Sequence, residues 1–504
     1  MKYITLAIVL MAFFLLRPYQ LQKLGLCYRG DDFSYFAHAT AIVFGQYPSY
    51  EKEHFDNGKQ SPLHSIGPGL MAAPFVWAFS LIDRLTGADI VNQRTADNIR
   101  HSWSMFGFVV SSSVYFWLGC WLIYLTAIKF CSARHTIIAL VLMVLVQGIP
   151  IYVFRRPVFS HAYEFFLQAF MIYLFFKPKT DKPPSLGYWL TVGFTLGLMP
   201  LVRYNNLVAS GFWWLAIGLK HKVFTHLSRN KKIFGAFFIF ALILLVFFVV
   251  PSVFNHYDGY QRKFRYFFRP WWLSVYPFRV WHVLFGAGWG LIFTGPFILF
   301  GIWQWLARPH PDKKYLWWCM IPMAVNFHLI VVSDGQGGYF GYRYFICSMI
   351  PLLVMPFAGW LKDMEEKYTR RIYWLIGLVA LFPLFSVLCF EGNNSTLTLD
   401  VIRLHRGYGY SNHTYQWEIW KMLFTQPVEW GIAVFKGGLL YWIYVVAQLT
   451  GMQHRLPEIV LQKYPEFRPD ILVKVIVIYA IPFLLLYISH LLKHLRKCKS
   501  PGNS

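Results

Sequence analysis

Apolar runs of about twenty residues recur along the whole chain, and short gaps carrying lysine and arginine separate them. A run of that length crosses a hydrocarbon core of ~30 Å as an α-helix, which satisfies its backbone N–H and C=O groups internally. Such runs lie near 3–19, 103–128, 136–154, 160–176, 185–202, 205–219, 234–254, 287–306, 315–333, 344–361, 372–390 and 471–491. Only 14% of the 504 residues are charged, while 57% are hydrophobic and mean hydropathy is +0.42. Water-soluble domains carry roughly a quarter charged residues. The expected fold class is therefore an all-α polytopic membrane protein of about twelve transmembrane helices, with interfacial helices in its first outer loop.

The net charge of +24 could suit nucleic acid, but its distribution does not. Basic residues sit in the gaps: Lys129 and Arg134; Lys177, Lys179 and Lys182; Lys220, Lys222, Arg229, Lys231 and Lys232. Arg308, Lys313 and Lys314 follow, then Lys362, Lys367, Arg370 and Arg371, and last the tail from Lys493 to Lys499. With the N-terminus inside, every one of these gaps faces the cytoplasm, as the positive-inside rule asks. No nucleic-acid partner is expected. The first run is followed by Arg17-Pro18-Tyr19 instead of a small-residue cleavage signal, and is read as an uncleaved helix. Cys27, Cys120, Cys131, Cys319, Cys347, Cys389 and Cys498 show no CxxC or other ligand spacing, so neither a disulfide framework nor a zinc site is expected.

Residues 62–82 test this parity, being apolar enough to span. Counting them would turn the basic loops outward, and Gly67, Pro68, Gly69 and Pro74 weaken an uninterrupted helix. They are read as a helix at the outer interface or packed among the others. The expected organisation is a transmembrane core over 1–391 including an outer loop at 20–102, a short outer segment at 392–470, and a last helix with a basic tail at 471–504. An apolar patch at 430–449 is read as interfacial.

Three features carry chemistry. The first is Gly30-Asp31-Asp32-Phe33, just beyond the first span on the outer side. Two carboxylates heading an apolar stretch can cap a helix, or one can serve as a general base oriented by the other. The second is a set of arginines at outward helix ends: Arg155 and Arg156 before His161, Arg203 within LVRYNN, and Arg343 within GYRY. Each can snorkel or pair with a carboxylate such as Glu164 or Asp334; several on one face favour an anion, since guanidinium forks suit phosphate oxygens. The third is the basic-aromatic stretch 261–282, with Arg262, Lys263, Arg265, Arg269 and Arg279 on the outer side. It reads as a membrane anchor or as a landing surface for an anionic lipid, with Arg269 a candidate at the substrate site. No Walker loop, nucleotide-binding GxGxxG, HExxH or GxSxG occurs, which argues against an ATP-driven pump and a nucleotide-sugar donor.

The acidic pair, the helix after it and the dozen spans together resemble the GT-C superfamily of membrane glycosyltransferases. The nearest likeness is to the family 39-like protein O-mannosyltransferases and lipid A aminoarabinose transferases. The strings that carry it are GDDFSYFAHATAIVFGQ (30–46), SPLHSIGPGLMAAPF (61–75), SHAYEFF (160–166), GLMPLVRYNN (197–206) and FGYRYFICSMIP (340–351). The resemblance implies an inverting transfer of a monosaccharide from a polyprenyl-phosphate or dolichyl-phosphate donor to a lipid, glycan or protein acceptor on the outer face. It makes Asp31 or Asp32 the base and Arg203 and Arg343 the ligands of the donor phosphate, with His161 and His64 assisting; Arg155 and Arg156 join the phosphate set, with His161, on their position at an outward helix end. Some branches of the superfamily use a divalent metal; no further acidic cluster stands near a motif here, and no metal ligand is assigned. A bacterial cytoplasmic membrane with the site facing outward is the expected location, with the endoplasmic reticulum as the alternative. The competing function is a transporter or flippase for a lipid-linked saccharide, which would place charges in mid-span, where this chain has few.

Overall fold

The computed structural model describes residues 31–48, 50, 64–88, 90, 99, 102–155, 157–177, 184–222, 231–249, 272–286, 290–307, 343–368, 371–392, 415–428, 440–456 and 469–498, with scattered positions at 317–331, 430–431 and 458. The first expected span lies outside the described residues, as do most of the ninth and residues 393–414. Among the described residues the chain is helical, with no strand. Two short helices come first, α1 (Asp31–Val43) and α2 (Gly67–Leu85), followed by the long α3 (Trp103–Ala127) and α4 (Ala133–Leu140). Next are α5 (His161–Phe176), α6 (Leu186–Val202), α7 (Asn206–Lys220) and α8 (Lys231–Leu244). The C-terminal half contributes α9 (Trp272–Phe285), α10 (Leu291–Thr294), α11 (Pro296–Ala307), α12 (Arg343–Tyr368), α13 (Arg371–Gly392), α14 (Tyr415–Thr425), α15 (Leu440–Leu449) and α16 (Pro469–Cys498).

Two described helices are long and apolar enough to cross a membrane, Trp103–Ala127 and Leu472–Ser489 within α16. Shorter apolar helices at 133–144, 186–202, 232–247, 296–307 and 371–387 coincide with other expected runs. The bundle is partly inverted in polarity. Ser111, Ser112, Ser113, Gln168 and Ser210 are buried, whereas Phe194, Phe238, Leu245, Trp374 and Leu378 are exposed. Large apolar side chains massed on the outside suit a nonpolar surrounding better than water.

Helix direction can be followed through the contacts at the ends. The Lys129 ammonium, just past α3, donates to the Phe176 carbonyl at the end of α5 (2.9 Å), and Lys220 at the end of α7 donates to Phe175 (3.0 Å). These lysines satisfy carbonyls that a helix C-terminus leaves unpaired and complement its negative dipole end. Tyr188, near the start of α6, donates to Leu174 (3.3 Å) and lies edge-on to His221. On α4, α12 and α13, Glu365 gathers Arg134 (2.6 Å), His135 (2.7 Å) and the Tyr373 hydroxyl (2.7 Å). Tyr373 first, then His135 and Arg134, hold the Glu365 carboxyl below its ordinary range. The inward-assigned gaps after α3, α5, α7 and α12 therefore bring their partners together at matching helix ends.

One expectation changes, and an open one is decided. The run at 136–154 is not one helix: α4 passes into π-helical turns at Val141–Leu145 and Ile151–Arg155, with a break between them. Gly148 takes φ 81° there, and Pro150 removes a backbone donor. The buried Gln147 fills the break, donating to the Met143 carbonyl (2.9 Å) and accepting from the Ile298 amide (3.2 Å) at the start of α11. The 62–82 run is resolved as α2, packed along the first half of α3: Met71 meets Tyr115, Phe75 meets Gly107, and Asp83 reaches Trp103. Asp83 caps α3, taking the Trp103 amide (2.8 Å) and the Ser104 amide (2.7 Å).

Helix α6 is held against α8 by close backbone approach. A Cβ on Gly193 would lie 2.2 Å from the Ala236 carbonyl oxygen, so only glycine fits. Gly193→Ala should cost about 1–3 kcal/mol by overpacking and lower the unfolding temperature of the detergent-solubilised protein. Gly211→Ala, whose Cβ meets nothing within 4 Å, is the matched control and should leave it unchanged or higher. Equal behaviour of the two variants would contradict this packing.

Candidate functional site

Three of the residues singled out on sequence grounds, Arg203, His161 and His64, lie with the head of α1 where α1, α2, α5, α6 and α7 come together, at the end of the bundle opposite Lys129 and Lys220. Asp31 and Asp32 open α1, and their side chains lie outside the described residues. One turn on, the Ser34 hydroxyl hydrogen-bonds His64 Nδ1 (3.0 Å). The carbonyl of His64 accepts from His38 Nε2 (2.8 Å), one turn further along α1. Nε2 must donate to that carbonyl, so Nδ1 accepts, and its partner is the Tyr50 hydroxyl at 2.6 Å. Burial lowers the His38 pKa to about 4, so the imidazole is neutral at physiological pH. It ties the segment before α2 to the segment after α1. Tyr47 extends the tie, donating to the Val246 carbonyl (2.6 Å) in the π-helical turn Leu245–Val249 that continues α8.

Residues 65–69 join this layer to α6. The Ser65 hydroxyl donates to the Val202 carbonyl (2.8 Å). A Cβ on Gly67 would lie 2.4 Å from the Leu201 carbonyl carbon, and one on Gly69 2.5 Å from the His38 Cβ. Glycine at both positions lets the start of α2 sit directly on α6 and α1. The next residue after Val202 is Arg203, extended at φ −156° and ψ 132° between α6 and α7.

Arg203 closes the site. Its Nη1 donates to Glu164 Oε2 at 3.0 Å and lies 3.4 Å from His161 Nδ1. Both partners are in the first turn of α5, where the helix dipole favours the carboxylate. The Glu164 side chain is 0% exposed and that of Arg203 12%, so of the two partners only Arg203 reaches the surface. Asn206, at the start of α7, adds a favourable interaction with Glu164 without a well-directed hydrogen bond to Glu164 Oε1. His161 is packed by Tyr152 (4.9 Å between ring centroids) and Phe159 (6.1 Å).

The structure thus brings together Arg203, His161, His64 and the head of α1. It also realises the Glu164 pairing that the sequence allowed for Arg203. Arg343 opens α12 and Arg155 ends a π-helical turn, but both side chains lie outside the described residues, as do Arg156 and Arg269 entirely. Among the described residues, no group of three or more His, Cys, Asp or Glu is placed to hold a metal ion. Sequence reasoning gave no role to His38, Tyr50, Ser34 or Ser65. Their links span 12 to 137 residues, and no local pattern announces them. Glu164 did leave a signal, as an acid three residues after a histidine inside an apolar run. No protein-family model, curated protein or solved structure matches the chain.

His38 makes stability depend on pH. Its pKa is about 4 when folded against an ordinary 6.5, so between these values the unfolded chain binds the extra proton. Stability should be complete above pH ~6.5 and fall toward pH ~4, by an order of about 3 kcal/mol. Thermal unfolding in detergent at pH 7.5 and pH 5 should show a smaller drop for His38→Gln than for the wild type. Identical pH slopes would contradict the assignment.

Proposed function

We propose that the chain is a multi-pass membrane glycosyltransferase of the GT-C type, with about twelve spans, both termini in the cytoplasm and its site on the outer face. It moves a monosaccharide from a polyprenyl-phosphate or dolichyl-phosphate donor to a membrane-associated lipid, glycan or protein acceptor. One observation carries this reading: the α1 terminus bearing Asp31 and Asp32 is tied, through Ser34–His64 and Ser65–Val202, to the arginine between α6 and α7. A base and an anion-binding group share one end of the bundle, and the lysine-rich end is the other.

The chemistry follows from that pairing. One carboxylate of the acidic pair removes the proton of an acceptor hydroxyl or amine, and the acceptor atom attacks the anomeric carbon from the face opposite the phosphate. The bond from that carbon to the phosphate oxygen breaks, the configuration inverts, and the lipid phosphate leaves with the bonding pair. Arg203 stabilises the charge gathering on the leaving phosphate, with Arg343, Arg155, Arg156 and His161 as further ligands. His64 and Arg269 are assigned to the substrate side. A lipid-borne donor suits a site at the helix ends of an apolar bundle, since the lipid tail stays in the bilayer while the headgroup reaches those ends.

The test is transfer of radiolabelled sugar from polyprenyl-phosphate donors to membrane acceptors. At least one of Asp31→Asn and Asp32→Asn should cut transfer by about 10²–10⁴-fold, the scale of a general base, while insertion and unfolding temperature stay unchanged. Full activity in both variants sinks the reading. Movement of the lipid-linked sugar across the bilayer without transfer would favour the flippase instead.

A further inference from the structure

We infer that Glu164 is a positioning residue for the donor phosphate, holding the Arg203 guanidinium in the orientation that receives it. The inference rests on the reading of Arg203 as a phosphate ligand. A carboxylate beside an arginine could equally be its neutraliser, and the geometry separates the two roles.

Glu164 is supported where it stands. It lies in the first turn of α5, whose dipole favours negative charge, and its side chain has no solvent exposure. It has no need to follow Arg203 outward and no route by which to do so. Arg203 is the opposite case, a long side chain on an extended residue at the very end of α6, 12% exposed. Released, it would snorkel toward the headgroups. Glu164 engages it through Nη1 at 3.0 Å. A guanidinium has five N–H donors in a rigid fork, more than one carboxylate oxygen can take, so a group anchored on Glu164 through Nη1 can also face an anion.

His161 is set by the same contact. Arg203 Nη1 lies 3.4 Å from His161 Nδ1, and a guanidinium nitrogen only donates, so Nδ1 accepts and the imidazole proton resides on Nε2. Tyr152 and Phe159 hold the ring from its sides. Glu164 therefore orders the Arg203 guanidinium and, through it, the His161 ring, on the side of the bundle where α1 begins. The neutraliser role predicts that removing the carboxylate strengthens anion binding; the positioning role predicts the reverse.

The experiment measures binding of a polyprenyl monophosphate to the full-length protein in nanodiscs, alongside donor KM and kcat. Glu164→Gln should weaken binding and raise donor KM by about tenfold or more, the scale of one charge-assisted hydrogen bond, with a smaller fall in kcat. Glu164→Asp should recover part of the loss. Arg203→Gln should lose as much alone as it does together with Glu164→Gln, because the two act as one unit. If Glu164→Gln does not fold, Glu164→Asp and Arg203→Lys carry the test through the same binding measurement, each weaker than the wild type. Tighter binding in Glu164→Gln, unchanged binding, or no binding by the wild type overturns the inference. Wild-type binding without sugar transfer overturns the transferase reading alone, and the ranking of the variants in binding still decides the role of Glu164.

Discussion

Glu164 and Arg203 form an ion pair between a fully buried carboxylate and a nearly buried guanidinium, at the junction of three helices. Breaking such a pair from one side leaves an unpaired buried charge and costs about 3–5 kcal/mol. The pair is tolerable only because it sits where helices begin and end. The first turn of α5 supports the negative partner, and the chain leaving α6 delivers the positive one. The same junction receives Ser65 and Gly67 from the segment opening α2, and through them His64, His38 and the head of α1. Moving Arg203 by one residue would break the pair and shift the carbonyl of Val202 on which Ser65 docks.

The opposite end of the bundle solves a different problem. There α5 ends with carbonyls that lack helical partners, and Lys129 just past α3 and Lys220 at the end of α7 reach across to them. Glu365 ties α4, α12 and α13 at corresponding ends. One end is built from carbonyls and ammonium groups; the other combines a carboxylate, a guanidinium and imidazoles. Between the two, the outward side chains are Phe, Leu and Trp, and the interior holds serines and Gln168. A helical bundle with this division has a polarity along its axis, and polarity is what a one-sided reaction on a membrane-borne substrate requires.

Much of this was legible in the sequence, for identifiable reasons. Helix positions follow from hydropathy, which is additive along the chain, and the basic residues of the gaps sit at helix ends, with Lys129 and Lys220 on carbonyls of α5 and Arg134 on Glu365. Arg203 stood out because LVRYNN leaves almost no room for a loop between two apolar runs. The break at Gln147–Pro150 was hidden by the apolarity of its flanks, although Gly148 and Pro150 were both visible. The placement of α2 was undecidable from hydropathy, since Gly67 and Gly69 act by permitting backbone contact with partners far along the chain. The His38–Tyr50 bond joins groups that carry no motif, and its existence depends on a tautomer that the His64 carbonyl selects.

Cryo-electron microscopy of the full-length protein in lipid nanodiscs with a polyprenyl monophosphate tests the central claim most directly. The account predicts phosphate density within hydrogen-bonding reach of Arg203, about 2.7–3.2 Å from its guanidinium, at the end of the bundle where α5 begins. Phosphate seated instead among Lys129, Lys177 and Lys220 at the opposite end would contradict it.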